Sequence, residues 1–244
     1  MQNAWLNILS FALLPVAAMV IGAIIAVFRP PKAKVRSLLP LAAGVVFSVV
    51  AVELLPDVMR EHNVAATAIG FALGVAAMIG IKTLTSHGEE KSSSEELVEN
   101  KVSKAMLAAV GVDILIDGFL LGLGFVAGAK EGKLLALALT TELLSLGLAL
   151  ACTLTKANLT KMKSVGIVAG LASLILIGSL AGATILQQLS KEMLETVLSF
   201  GLAALLYLVT EELLVEAHEE PETPLITSSF FAGFLLFLIL GMIS

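Results

Sequence analysis

The chain predicts an all-α polytopic membrane protein with eight spanning helices, and three observations carry that prediction. Of its 244 residues 58% are hydrophobic and 14% charged, where about 25% charged is usual, and mean hydropathy is +0.99. The charges gather between apolar runs instead of inside them. Eight of those runs approach the roughly 17–25 residues that a helix needs to cross a bilayer.

The first run, at about 5–28, is long enough to span and lacks a positive leading segment, so no cleavable signal peptide is expected. Its Trp5 suits a membrane interface. The second, about 38–59, ends in E-L-L-P-D with Glu53, and the third covers about 64–83. The polar, Ser- and Glu-rich segment Ser86 to Ser103 is expected as a mobile loop. The fourth and fifth runs, about 104–128 and 133–154, form a hairpin around the turn Ala129-Lys130-Glu131-Gly132. The last three lie at about 164–187, 193–215 and 225–243. One transmembrane domain therefore divides into 1–85 (three helices), the loop 86–103, the hairpin 104–154, and 155–244 (three helices).

Eight spans put both termini on one side, and Lys and Arg say which. Arg29, Lys32, Lys34, Arg36, Lys82, Lys91, Lys101, Lys104, Lys156, Lys161 and Lys163 share one side. Only Arg60, Lys130, Lys133 and Lys191 lie on the other. The positive-inside rule then places both termini outside, in a cell (plasma or inner) membrane.

The hairpin holds the chemistry. Its first helix reads V-D-I-L-I-D-G with Asp113 and Asp117; its second reads L-T-T-E-L-L-S-L-G with Thr141, Glu142 and Ser145. Each acid costs about 2.5–3.5 kcal/mol at the centre of a membrane helix, and the apolar runs offer no Lys, Arg or His except near their ends. The compensator is a proton on each acid, a basic partner, or a bound cation, of which the cation is the leading explanation. Asp113 and Asp117, four apart, share a helix face about 5–6 Å apart at Cβ. Counted from the turn, Asp117 lies about 20 Å deep, Glu142 about 17 Å and Ser145 about 22 Å. The alternative is protonated acids hydrogen-bonded between helices as packing groups. Gly118, Gly122 and Gly124 would let neighbouring helices approach closely.

A weak internal repeat accompanies the hairpin. The second helix, Gly44 to Asp57, and the seventh, Ala203 to Glu216, share E-L-L-x-acid, which aligns Glu53 with Glu212. The two helices run in opposite senses, the pattern of inverted repeats around a midplane transport site; a chance match of Leu-rich helices is the alternative. Glu53 at one end, and Glu211 with Glu212 at the other, are candidate entrance and exit groups, or acids close enough to the interface to reach water.

With its eight helices, external termini and polar loop after the third, the chain resembles the ZIP family of divalent-metal transporters. The resemblance implies a 3+2+3 arrangement, inverted outer threes, a metal site on the fourth and fifth helices, and a homodimer. E-L-L-P-D of the second helix and L-Y-L-V-T-E-E-L-L-V-E-A-H-E-E of the seventh look like the corresponding family segments. On the fourth helix Asp113 stands where the family commonly has His, Ile114 at its polar neighbour, and Asp117-Gly118 at the acid and glycine. On the fifth, Thr141 takes the His position, Glu142 the first acid, Leu144 the proline and Ser145 the second acid. The sixth helix, which adds a Glu in two-metal members, offers only Ser173, Ser179 and Thr184.

The altered ligands have a chemical reading. His62, His87 and His218 lie in or beside loops, so the core set is oxygen only: Asp113, Asp117 and Glu142, assisted by Thr141 and Ser145. Such oxygens suit Mn²⁺, Mg²⁺ or Ca²⁺ better than Zn²⁺, although zinc also accepts carboxylates. One metal per site is expected, as transported substrate; no prosthetic group is. Three carboxylates on a dication leave one negative charge, which an exchanged proton would cancel. The lone Cys152 reads as a small buried hydrophobe. Nothing basic and aromatic-interleaved suggests nucleic acid, so the expected partners are the metal ion, the lipid bilayer and a second copy of the chain. No enzyme is expected, because an intramembrane metalloenzyme would want His ligands or a positioned base. The remaining rival is a ZIP-like membrane protein without transport, structural or regulatory.

Overall fold

The computed structural model describes residues 2–28, 38–61, 63–95, 104–186, 188–215 and 224–243. Its elements are α1 (Gln2–Phe28), α2 (38–61), α3 (Val64–Glu95), α4 (Lys104–Ala127), α5 (Ala129–Lys156), α6 (161–186), α7 (191–215) and α8 (Pro224–Ile243). No strand occurs among the described residues. Seven of the helices are long and apolar enough to cross a membrane; the apolar part of α8, Thr227–Ile243, is shorter. The 20 residues of α8 nevertheless extend about 30 Å, the thickness of a hydrocarbon core. By length and composition the chain is a multi-pass helical membrane protein.

Helix α5 lies at the centre. Of its apolar window 67% is buried, against 22% for α3, and Leu135, Leu139, Leu143 and Leu154 lose nearly all contact with solvent. The most extensive packings join α1 to α5, α4 to α6, α3 to α7 and α2 to α8. Each is seated on glycine. A Cβ at Gly118 would stand 2.6 Å from the carbonyl of Ile175, one at Gly122 2.5 Å from that of Ser179, and one at Gly74 2.6 Å from that of Phe200. Gly22 and Gly147 meet the backbones of α5 and α1, and Gly44 and Gly233 those of α8 and α2. Hydrocarbon gives no hydrophobic drive between helices, so close backbone approach over small residues supplies the dispersion that holds them. Gly118, Gly122 and Gly124 thus act as the sequence suggests, Gly124 by meeting Gly132 and Leu135 of α5 inside the hairpin.

Local irregularities have local causes. Pro15 stands within α1, where it removes one intrahelical donor. Helix α6 is interrupted at Ser173, where Leu176 N–H bonds the Ser173 carbonyl at 3.1 Å in a tightened turn. Asn63 caps α3 by accepting from the Ala66 N–H at 3.2 Å, and its amide donates to Glu195 of α7 at 2.9 Å.

Two boundaries differ from expectation. The polar segment from Ser86 is helical as far as Glu95, since extending an existing helix needs no new nucleus and Glu and Lys are good helix formers; residues 96–103 lie outside the described ones. The hairpin turn is Gly128 alone, with Ala129 to Gly132 forming the first turn of α5. Gly128 N–H bonds Gly124 and its carbonyl accepts from Gly132, both at 3.0 Å, and Glu131 in that first turn complements the positive end of the helix.

Candidate cation site on the central hairpin

Moving the turn to Gly128 changes which acids share a level. Measured from it, Asp117 lies about 17 Å along α4 and Asp113 about 22 Å; Glu142 lies about 21 Å along α5 and Ser145 about 26 Å. Glu142 is thus closer in depth to Asp113 than to Asp117. Asp117 is 0% exposed and Glu142 5%, whereas Asp113 is half-buried. Both carboxylate oxygens of Asp117 and Oε2 of Glu142 are sealed from solvent. Their burial is a consequence of the glycine seats: Gly118 draws α6 against α4 beside Asp117, and Gly147 draws α1 against α5 one turn beyond Glu142.

The hydroxyls of the hairpin serve their own helix. Thr141 Oγ1 donates to the Leu137 carbonyl at 3.3 Å, and Ser145 Oγ reaches the carbonyls of Thr141 and Glu142 at 3.2 and 2.9 Å. A hydroxyl whose proton is so engaged presents only lone pairs, the state that a cation requires. Among the described residues, no three His, Cys, Asp or Glu side chains converge closely enough to hold a metal ion. The hairpin thus carries Asp113 and Asp117 on α4 and Thr141, Glu142 and Ser145 on α5, which packs against it. His62 and His218 lie outside the described residues, and His87 falls on the polar extension of α3.

The candidate entrance and exit acids occupy two π-helical turns. In α2, residues Val50–Leu54 form a π-helical turn closed by Leu55 N–H on the Val50 carbonyl. In α7, Leu208–Leu213 form another, closed by Leu214 N–H on the Val209 carbonyl. Glu53 lies in the first, Glu211 and Glu212 in the second. Single π turns insert one residue into an α-helix and are frequent at functional sites. Glu53 is 8% exposed and its Oε1 stands 3.3 Å from Lys130 Nζ. Glu211 Oε2 stands 3.4 Å from Lys82 Nζ, both side chains half in solvent, and that ammonium also lies 5.6 Å from the Tyr207 ring centroid.

Two residues carry more than their sequence context suggests. Lys130, which looks like an ordinary turn lysine, is turned inward onto Glu53. Ser48, two residues before the π turn of α2, is 1% exposed and its Oγ makes no hydrogen bond; a single hydroxyl in the apolar run V-V-F-S-V-V was its only signal. No protein-family model matches the chain, and no curated protein matches it in sequence.

Proposed function

We propose that the chain is a transporter that moves a divalent metal cation into the cytoplasm through the carboxylates of the α4–α5 hairpin, as its resemblance to the ZIP family implies. The observation that carries this is a correspondence between two halves of the bundle. Aligning Glu53 with Glu212 superposes Val50 and Leu55, which close one π turn, on Val209 and Leu214, which close the other. The same register sets Pro15 of α1 on Leu174 of α6, beside the interruption at Ser173. It also sets Gly74 and its contact Phe200 on Gly233 and its contact Leu41.

The packing pattern agrees. Exchanging α1 with α6, α2 with α7, α3 with α8 and α4 with α5 turns the pair α1–α5 into α6–α4, and α3–α7 into α8–α2. These are the four principal packings. In the hairpin, Gly118 meets Gly178 as Gly147 meets Met19, which aligns D-I-L-I-D-G with E-L-L-S-L-G and Asp113 with Glu142. Two inverted threes flanking a hairpin with buried acids is the transporter pattern in which one repeat rocks against the other around a fixed midplane site.

In this reading Asp113, Asp117 and Glu142 are the ligands, with Thr141 and Ser145 contributing lone pairs. Glu53 stands at the entrance, and Glu211 and Glu212 at the exit. The termini face outward, the membrane is the cell membrane and a homodimer is the assembly. Binding draws the acids of α4 toward Glu142 by shifting the hairpin against its flanks. The test is uptake into proteoliposomes of Mn²⁺, Zn²⁺, Fe²⁺, Mg²⁺, Ca²⁺ and Cd²⁺, alongside Asp117→Asn/Glu142→Gln. Saturable uptake lost in the double variant supports the transporter; no uptake of any ion by folded protein overturns it. The absence of three converging ligands among the described residues favours a second reading, a ZIP-like membrane protein of structural or regulatory role. It requires that the double variant leave the cellular phenotype intact.

A further inference from the structure

Lys130 Nζ lies 3.3 Å from Glu53 Oε1 and 2.9 Å from the carbonyl oxygen of Gly241. The ammonium is thus held by two oxygens from α2 and α8, while its own chain belongs to the first turn of α5. The three helices meet closely here: a Cβ on Gly241 would stand 2.6 Å from Glu53 Oε1. The carboxylate is buried, whereas the lysine side chain is 40% exposed, so its ammonium reaches in from the surface and can withdraw to it. The π turn adds a residue at this point of α2, and such an insertion rotates the next helical turn away from its regular α-helical bearing.

The opposite end carries a related contact. The register that aligns Glu53 with Glu212 also aligns Gly241 of α8 with Lys82 of α3. There the ammonium comes from the equivalent position itself and bonds Glu211 in the second π turn. At the hairpin end that position is glycine, and the ammonium comes instead from Lys130. Each π turn thus has a glutamate met by a lysine from another helix, although Glu211 is the neighbour of the residue that aligns with Glu53, and its pair is half in solvent whereas the Glu53 carboxylate is buried.

We infer that the Glu53 carboxylate and the Gly241 carbonyl form a cation-binding site at the hairpin end whose resident is the chain's own Lys130 ammonium, and that a passing divalent cation displaces it. The lysine is a tethered competitor. Seated, it ties α5 to α2 and α8 and closes that end; displaced, it frees α5 to shift against both. The inference rests on reading the bundle as a cation pathway, but its binding test needs no transport.

The test measures Mn²⁺ binding to the purified full chain by equilibrium dialysis, in Lys130→Gln, in Lys130→Gln/Glu53→Gln, and in both again on an Asp117→Asn/Glu142→Gln background. At Mn²⁺ concentrations that leave this end of the wild-type chain mostly unoccupied, Lys130→Gln should bind about one more Mn²⁺ per chain, with about tenfold higher affinity at this end. Adding Glu53→Gln should remove that gain, and the gain should persist in the background lacking the hairpin acids. No gain in Lys130→Gln, or a gain that survives Glu53→Gln, overturns the inference. Persistence of all other Mn²⁺ binding in the Asp117→Asn/Glu142→Gln background would count against the hairpin site instead, so the two failures are distinct. A second measurement uses the wild-type chain: acylation of Lys130 by an amine-reactive ester, followed by peptide mass, should accelerate severalfold with Mn²⁺ while Lys161 does not change. A Lys130 rate indifferent to Mn²⁺ overturns the inference even if the variants fold poorly.

Discussion

Replacing Gly178 by Ala tests whether α4 and α6 are held by backbone approach. A Cβ there would collide with the Leu115 carbonyl oxygen and stand 2.9 Å from Phe119 N and 3.0 Å from the Gly118 carbonyl carbon. All three are backbone atoms, so no side chain can swing aside and the two helices must part by several tenths of an ångström. The seat also involves Gly118, Gly122 and Gly182, so the gap forfeits dispersion along about two turns. Overpacking of this kind costs about 1–3 kcal/mol, which for a chain of this size lowers Tm by about 2–4 °C per kcal/mol. The control lies on the same helix. Gly170 has nothing within 4 Å of its virtual Cβ, so Gly170→Ala should leave Tm unchanged or raise it through the roughly 0.5–1 kcal/mol by which Ala outperforms Gly inside a helix. Thermal unfolding in nanodiscs, followed by circular dichroism, reads both. A second substitution, Gly118→Ala, should cost much less in Gly178→Ala than alone, because the helices have already parted and neighbouring sites couple. Equal Tm for Gly178→Ala and Gly170→Ala, or fully additive losses at Gly118 and Gly178, would refute the reasoning.

Other outcomes rest on particular contacts. Asp117→Asn, which keeps the shape of the side chain and removes its charge, should abolish saturable metal uptake while the chain still folds; a lower Tm with uptake intact would instead mark Asp117 as a packing group. Asn63→Ala should lose about 0.5–2 kcal/mol, because it removes both the cap on Ala66 and the bond to Glu195, whereas Asn63→Asp should retain the cap but set a second carboxylate against Glu195, a loss that Glu195→Gln should relieve. In the hairpin, Gly132→Ala should be the more harmful of two substitutions: its Cβ would lie 2.5 Å from Phe125 Cγ in a packed ring. Gly128→Ala meets only the flexible carboxylate of Glu131, and its φ of −178° is extended backbone open to any residue. Urea or thermal melts of the two variants in one detergent decide the order.

The spans and their approximate limits were legible because a bilayer imposes a length, and apolar runs of that length have few other uses. The hairpin acids stood out for the same reason: Asp113, Asp117 and Glu142 interrupt otherwise apolar helices, where ionisable groups are expensive and rarely accidental. The E-L-L likeness between α2 and α7 was visible as letters. Its physical content, two π turns closed by equivalent residues, was not, since a π turn is an extra residue accommodated by tertiary packing and leaves no composition of its own.

The sequence by itself determined that the chain is a helical membrane protein with buried acids on a central hairpin, because hydrophobic length and the cost of charge in hydrocarbon act on each segment separately. Tertiary structure alone decided the rest. It placed the hairpin turn at Gly128, and so set Glu142 nearer the level of Asp113, because close packing of Gly124, Gly128 and Gly132 let the helices join with one non-helical residue. It chose α1–α5, α4–α6, α3–α7 and α2–α8 as the principal pairs, because in lipid every helix face is apolar and only the meeting of small residues on two helices at once tells one partner from another. It also turned Lys130 onto Glu53 and Gly241. No local rule brings a turn lysine to a glutamate on another helix; their meeting depends on where three helices end.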